Sequence, residues 1–391
     1  MQSLCQTLEM RILTVANHLG SRGGLERNQL TMCRALAERG HIVDVAYQSA
    51  GDFTKDWESF SRHMLTIDGS LPRARRPVGS SIGVGRGIAA AARLRPQVIY
   101  VFRPLDIPFA VVVGRLCRAP VVFHLCLPQP NKLPAPVRWS LRHVALTLSV
   151  SHDTAGLWMR SGLRPSAIQV VHTGIDMDHY VPAPAGDQLA TREELGIAPD
   201  AFVALFAGRL ASVKGVDVLI RAFGQVSEKV PGARLVIVGA SSLSADPDDA
   251  ERYIRSLHQL GSSYDILWLE ARKDVEPLIQ MADVVAAPSR WPEPFSRSVI
   301  EPLACGVPVV ATRVGGNAEI LVDWLAEYLV PADDVDALAE RIASLSAWKA
   351  EDPGLGSRCR DAVVVRLSLG QEVDAVESAL AGLARTSGPR S

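Results

Sequence analysis

Glu293 and Glu301 stand with seven residues between them in the stretch Pro288-Ser-Arg-Trp-Pro-Glu293-Pro-Phe-Ser-Arg-Ser-Val-Ile-Glu301-Pro-Leu-Ala-Cys-Gly306. Pro302 is comfortable only in the first turn of a helix, which predicts a helix starting at about Ser298 to Glu301. The free amides and positive dipole end of such a helix receive an anion, and the two carboxylates accept hydrogen bonds from hydroxyls. A ligand carrying both phosphates and sugar hydroxyls suits that combination. Taken alone, the alternative that the glutamates merely decorate a helix start stands level with it.

Other short matches carry less. Gly79-Ser-Ser81-Ile-Gly83 fits G-x-S-x-G, but Arg73-Ala-Arg-Arg-Pro77 precedes it where a hydrolase has a strand, so a loop is expected there. Asp176-Met-Asp178 fits a metal-binding D-x-D, yet it follows Gly174 beside a Pro-rich interval and reads as a structural turn. Gly83-Val-Gly85-Arg-Gly87 lacks the strand and spacing of a dinucleotide fingerprint, and no Walker A pattern occurs, which disfavours NAD and P-loop chemistry.

The elements around these residues alternate. Arg11 to Ala16 reads as a buried strand, followed by a Gly-rich turn (Gly20 to Gly24) and a helix with Leu30, Cys33, Leu36 and Ala37 on one face, stopped by Gly40. Ile42 to Tyr47, Val98 to Phe102, Pro120 to Phe123 and Ala145 to Val150 are further apolar strands spaced for crossovers. After Val181-Pro-Ala-Pro-Ala-Gly186 the pattern restarts. Phe202 to Phe206 is a strand, Gly208 to Gly215 a turn, and Val216, Leu219, Ile220 and Phe223 mark a helix face. Leu235 to Val238, Ile266 to Leu269, Val284 to Ala287 and Val307 to Ala311 supply more strands. The expected architecture is α/β, two doubly wound Rossmann-like domains facing across a cleft, each with a ligand crevice at the carboxyl ends of its strands. The expected boundaries are an N-terminal domain over 1–183, a C-terminal domain over 184–358, and a last helical segment, 359–391, that crosses back to the first domain.

The 391 residues exceed one ordinary core, and 48% hydrophobic with 21% charged residues excludes disordered and disulfide-scaffold classes. A formal charge of −1 offers no global drive toward nucleic acid, so none is expected as a partner. Six cysteines without a C-x-x-C pair suggest neither a zinc site nor a disulfide framework, and reduced thiols are expected. The first residues lack a basic n-region and an apolar run, and no apolar stretch approaches ~20 residues. A cytoplasmic protein is expected, with peripheral contact at the inner face of the membrane left open.

The segment E-P-F-x-R-x-x-I-E-x-L-A-C-G-x-P-V-V-A around Glu293 and Glu301 resembles the signature of retaining, nucleotide-sugar-dependent glycosyltransferases of the GT-B fold, the large group 1 or family 4-like family. Gly23-Gly-Leu-Glu26 resembles that family's first-strand loop, Ser149-Val-Ser151 and Gly174-Ile-Asp176 its interdomain strands, and Ala207-Gly-Arg209-Leu-Ala-Ser-Val-Lys214-Gly215 its phosphate loop. Val238-Gly239 and Ala311-Thr-Arg-Val-Gly-Gly316 also match, so the resemblance covers nearly the whole chain. It implies that Arg209 and Lys214, in a solvated turn, neutralise the donor diphosphate. Glu301 would hold the ribose and Glu293 the hydroxyls of the transferred sugar. Phe295, Ser296, Arg297 and Ser298 would face the donor, with Gly239 beside it, and Gly23 and Gly24 would admit the phosphates to the first domain. No metal and no cofactor are implied; the donor is a substrate and the acceptor a hydroxyl. Two alternatives remain, an epimerase or hydrolase of the same fold and a noncatalytic nucleotide-sugar-binding protein.

The sequence departs from the family at several positions. Ser296 replaces the usual Gly, adding a hydroxyl near the sugar. The family's histidine near the sugar aligns with Cys126, and His124 sits two residues earlier. Either His124 takes that catalytic role or it is a core histidine. Arg73, Arg75, Arg76 and Arg86 form a basic segment on the acceptor side, read either as a solvated loop or as a site for a phosphate-bearing acceptor at an anionic membrane.

Overall fold

The computed structural model describes residues 9–20, 24–72, 77–128, 132–160, 163–164, 167–240, 247–272 and 274–386. The chain divides into two compact units, Met1–His172 with Gln371–Ser391, and Thr173–Gly370.

The first unit holds a seven-stranded sheet of β1 (Arg11–Leu19), β2 (Ile42–Ala50), β3 (His63–Thr66), β4 (Val98–Val101), β5 (Val121–Leu125), β6 (Leu146–Ser149) and β7 (Ile168–Val170). Its order is β3-β2-β1-β4-β5-β6-β7, and each pairing is parallel. The helices of this unit are α1 (Gly24–Glu38), α2 (Thr54–Glu58), α3 (Pro77–Arg93), α4 (Ile107–Cys117), α5 (Ala135–Leu141) and α6 (His152–Met159). The runs that read as strands are buried on both faces, as a parallel sheet between helix layers requires. Gly40 adopts φ +89° at the end of α1, where the His41 amide reaches the Leu36 carbonyl (3.2 Å) and the Gly40 amide that of Ala37 (2.9 Å). That double closure is a Schellman stop, and it needs a left-handed residue.

The second unit repeats the plan with β8 (Val203–Ala207), β9 (Arg234–Val238), β10 (Ile266–Leu269), β11 (Val284–Ala287), β12 (Val309–Thr312) and β13 (Leu329–Val330). Their order is β10-β9-β8-β11-β12-β13, again parallel. Its helices are α7 (Ala185–Glu194), α8 (Val216–Lys229), α9 (Pro247–Leu260), α10 (Glu276–Met281), α11 (Arg297–Ala304), α12 (Asn317–Ile320), α13 (Val335–Ala343), α14 (Trp348–Glu351) and α15 (Leu355–Val364). The last helix, α16 (Leu369–Thr386), starts in this unit and runs on within the first, where Glu377 bonds Arg39 (2.6 Å) and His41 (3.0 Å) of the turn that follows α1.

The chain order reverses between β1 and β4 in one sheet and between β8 and β11 in the other, and ligand crevices form at such switch points. Two parallel sheets wound with helices in this order are the two-domain Rossmann-like GT-B arrangement.

Several local expectations are corrected. The breaks fall at 172/173 and 370/371 rather than 183/184 and 358/359, because Ile175 bridges Ser368 and Arg360 donates to Tyr180 (2.6 Å) and Met177 (2.9 Å). Residues 79–83 are not a loop but lie within α3. Two of its glycines make room for the chain before it, since Cβ atoms at Gly83 and Gly87 would stand 2.2 Å from Asp68 and 3.1 Å from Ile67, whereas Gly79 and Gly85 meet nothing within 4 Å. The edge strands β3, β7 and β13 carry too few apolar residues to stand out in the sequence. Helix α11 starts at Arg297, which leaves Pro302 inside it rather than in its first turn.

Candidate active site

The turn after β8 and the segment after β11 leave neighbouring strands on either side of the second unit's switch point. Glycine makes their approach possible. Gly215 ends the first turn at φ +68°, and a Cβ there would stand 2.0 Å from the Pro288 carbonyl oxygen. The Arg290 amide donates to the Val213 carbonyl (2.9 Å), and its guanidinium grips both carboxylate oxygens of Asp217 at 2.7 Å. Burial acts to raise the Asp217 carboxyl, but the Arg290 fork outweighs it and holds the group below its usual range. Behind the second segment lies the turn after β12. There a Cβ at Gly315 would stand 2.2 Å from the Glu293 carbonyl oxygen, to which the Gly316 amide donates at 2.8 Å.

These contacts bring Lys214 and Glu293 together. Lys214 Nζ donates to Glu293 Oε1 at 2.6 Å, and Ser289 Oγ donates to the same oxygen at 2.7 Å. Both side chains are largely covered, at 20% and 14% exposure, so Lys214 lies in a turn but is not the solvated cation expected from the sequence. Both bonds fall on Oε1, which leaves Oε2 to meet a ligand hydroxyl. Arg209, from the same turn, is exposed.

Helix α11 follows directly. Ser296 is its N-cap, with backbone at φ −83° and ψ 110°, and its hydroxyl lies 2.9 Å from that of Ser298 rather than on a helix amide. The amides of Val299 and Ile300 donate to the Ser296 carbonyl (3.1 and 3.2 Å), and those of the first turn before them have no partner within the helix. Phe295 and Ser296 are buried. Glu301 accepts from Arg297 Nε at 2.8 Å, and Arg297 also meets the Tyr180 hydroxyl. Burial, reinforced by the Glu301 charge, pushes the Tyr180 phenol above its usual range.

In the first unit Gly24 opens α1, and a Cβ there would meet nothing within 4 Å. Gly239 is held by its own fold, since a Cβ would stand 1.9 Å from the Gly208 carbonyl oxygen. His124 proves to be a core residue. Its ring is fully buried in β5, bonded to the Tyr100 hydroxyl, 5.0 Å from the Phe102 ring centre and 3.8 Å from a Glu372 carboxylate oxygen. Burial drives its pKa down to about 3, so the imidazole is neutral. Cys126, just past the strand, is partly exposed and accepts from Asn28 Nδ2 at 3.3 Å. Gly23, Arg73, Arg75 and Arg76 lie outside the described residues.

Sequence reasoning missed Ser289, Arg290, Asp217 and Tyr180, because their partners are far away in the chain and no spacing pattern joins them. Asp176 forms the expected turn, its carboxylate accepting from the Asp178 and His179 amides (3.0 and 3.2 Å).

The family model "Glycosyltransferase Family 4" matches residues 22–179, and "Glycosyl transferases group 1" matches 187–353. Among curated relatives, the D-inositol 3-phosphate glycosyltransferase of Mycobacterium sp. (strain JLS) is 38% identical over 185 residues, 46% of this chain and 40% of that protein. Its counterpart in Mycolicibacterium paratuberculosis is 34% identical over 216 residues, 54% of this chain and 46% of that protein. The matched stretch thus spans under half the length of these relatives. Among solved structures, HepE of Anabaena in complex with UDP superposes with a TM-score of 0.81 at 22% identity, over 96% of this chain and all of that one. Sucrose-phosphate synthase from Thermosynechococcus elongatus superposes with a TM-score of 0.75 at 20% identity, over 97% and 100%. With one model on each unit and GT-B neighbours along nearly its whole length, the chain belongs to the family 4-like glycosyltransferases of the GT-B fold.

Proposed function

We propose that the protein is a retaining glycosyltransferase that moves a hexosyl group from a nucleoside diphosphate sugar to an acceptor hydroxyl, without a metal ion. The observation that carries this reading is the meeting of Lys214 and Glu293 from two turns beside the N-terminus of α11, at the switch point of the second sheet. HepE has been solved with UDP and with UDP-glucose, which supports a nucleotide-sugar donor here.

In this reading the diphosphate sits against Lys214, Arg209 and the first amides of α11. Negative charge grows on it as the glycosidic bond breaks, so a cation placed there attracts the transition state more strongly than the bound donor. Lys214 also holds Glu293 in place through Oε1, and Oε2 of that carboxylate accepts from the sugar hydroxyls. Glu301, oriented by Arg297, accepts from the ribose. No side chain serves as a nucleophile; the leaving diphosphate takes the acceptor's proton on the face where the new bond forms. The first unit receives the acceptor, and the buried His124 ring takes no direct part.

The test is a melting series against nucleoside diphosphates and their sugars, followed by NMR of the product formed from the best donor. A true donor raises the melting temperature by mass action, and the product keeps the donor's anomeric configuration. Failure of every nucleotide sugar to stabilise the protein, or an inverted product, overturns the proposal.

A further inference from the structure

The layer of helices α3, α4 and α5 has a composition unlike the rest of the molecule. Between Asp68 and Asp153 the sequence carries twelve lysines and arginines and a single acid, Asp106, in a chain whose formal charge is −1. That one carboxylate is buried. Among the described residues the exposed side chains of the three helices are cationic, apolar or neutral, and the nearest exposed carboxylate along the chain, Asp68, lies before α3 and packs against Gly83 on its inner side.

The three helices lie side by side on one face of the first sheet. Val84 and Ala91 of α3, Phe109 and Val113 of α4, and Val137 and Leu141 of α5 join a single core with Leu13, Ile99 and Phe123. Neighbouring helices touch: Cys117 Sγ lies 3.5 Å from the Ala92 carbonyl oxygen, and the Arg115 guanidinium rests 4.9 Å from the centre of the Trp139 ring. With the inner sides fixed by the core, the outer sides follow. On α3, Val78, Ile82 and Arg86 recur at every fourth residue and are exposed. On α4 the exposed positions are Val112, Arg115 and Leu116; on α5 they include Arg138 and Trp139, with exposed Arg142 capping its end. Six of the thirteen exposed large apolar side chains among the described residues fall within 78–139. Scattered apolar residues need no explanation, but this concentration, laid among arginines, does.

We propose that the outer face of α3, α4 and α5 docks the protein on an anionic lipid bilayer. The arginines meet lipid phosphates, while Ile82, Leu116 and Trp139 enter the headgroup boundary, where an apolar body beside a polar tip is most at home. No helix among the described residues is long and apolar enough to cross a membrane, so the contact lies on the surface. This inference does not depend on the reaction assigned above.

The experiment is co-sedimentation of the full chain with phosphatidylcholine vesicles, with and without phosphatidylglycerol. The protein should partition onto the anionic vesicles alone and be released by salt. Each arginine near the surface is worth about five-fold in partition (about 1 kcal/mol), so Arg115→Gln, Arg138→Gln and Arg142→Gln together should cost about a hundred-fold. Trp139→Ala should weaken binding at every salt concentration. Arg252→Gln with Arg255→Gln, on exposed α9 of the second unit, should leave partition unchanged. A melt accompanies each variant; if the triple change melts early, Arg138→Gln and Arg142→Gln read the five-fold steps singly. Equal partition onto neutral and anionic vesicles, wild-type partition by the arginine variants, or tighter binding to duplex DNA than to vesicles at the same salt would overturn the proposal.

Discussion

Replacing Lys214 by methionine keeps the length of the side chain and removes its charge. At 2.6 Å the attraction between Lys214 and Glu293 is about 6 kcal/mol gross for an effective dielectric constant of ~20, and the desolvation of two largely covered groups opposes most of it. What remains after the substitution is a carboxylate whose Oε1 keeps only the Ser289 hydroxyl. An under-satisfied group of this kind costs about 2 kcal/mol, which lowers the melting temperature by roughly 4–8 °C for a unit of this size. Turnover should fall further, by about 10²–10³, because the charge growing on the leaving diphosphate loses a preorganised partner. The two effects separate in a cycle. Adding Glu293→Gln to Lys214→Met removes the stranded charge and should restore much of the lost stability, while turnover stays low. Thermal melts and single-turnover kinetics at saturating donor read the two quantities. Wild-type turnover in Lys214→Met would remove the residue from the mechanism. A double variant no more stable than the single one would show that the ion pair is not what Lys214 contributes to the fold.

Glu293→Ala should lower turnover more than affinity for the free nucleoside diphosphate, and Glu301→Ala the reverse; equal effects of both on nucleotide affinity, by calorimetry, would misassign the pair. Turnover should persist in excess chelator, since Lys214, Arg209 and the start of α11 already supply positive field, and loss restored by Mn²⁺ or Mg²⁺ would refute this. Burial raises the Asp106 carboxyl from 3.8 to about 6, against the downward pull of Arg103 and of Ser70, which donates at 2.5 Å. Because the folded value is the higher one, its contribution to stability is full below about pH 4 and is lost as pH rises to about 6, by up to about 3 kcal/mol. Asp106→Asn should remove that fall in denaturant unfolding curves, and a slope unchanged in the variant would refute it.

The interior of each sheet was legible because a strand covered on both faces must be apolar throughout. The run at 284–287 coincides with β11, buried along its whole length between β8 and β12. At sheet edges that pressure relaxes. His63 to Thr66 pairs only with β2 and is partly exposed along its length, so its sequence resembles a loop. Helix α3 failed to show for the opposite reason. Its glycines argue locally against a helix, and the close approach of Asp68 and Ile67 that Gly83 and Gly87 accommodate is not adjacent in the chain.

The candidate site divides along the same line. Lys214, Glu293 and the start of α11 could be found because each belongs to a strand, turn and helix unit whose order is written locally. The bonds that make them a site could not. Glu293 lies 79 residues beyond Lys214, and Arg290 lies 73 beyond Asp217. These distances collapse only because β8 and β11, far apart in the chain, are neighbours in the sheet. His124 shows the converse error. A histidine beside a motif invites a catalytic role, yet strand alternation sends Val121, Phe123 and Leu125 to one core and turns His124 the other way, against Tyr100 and α16. Alternation was visible in the sequence; what waited on the other face was not, because Glu372 arrives there from the far end of the chain. A group enclosed in that way, by Tyr100, Phe102 and Glu372 together, packs the strand that ends at Leu125, one residue before Cys126, and meets no ligand itself.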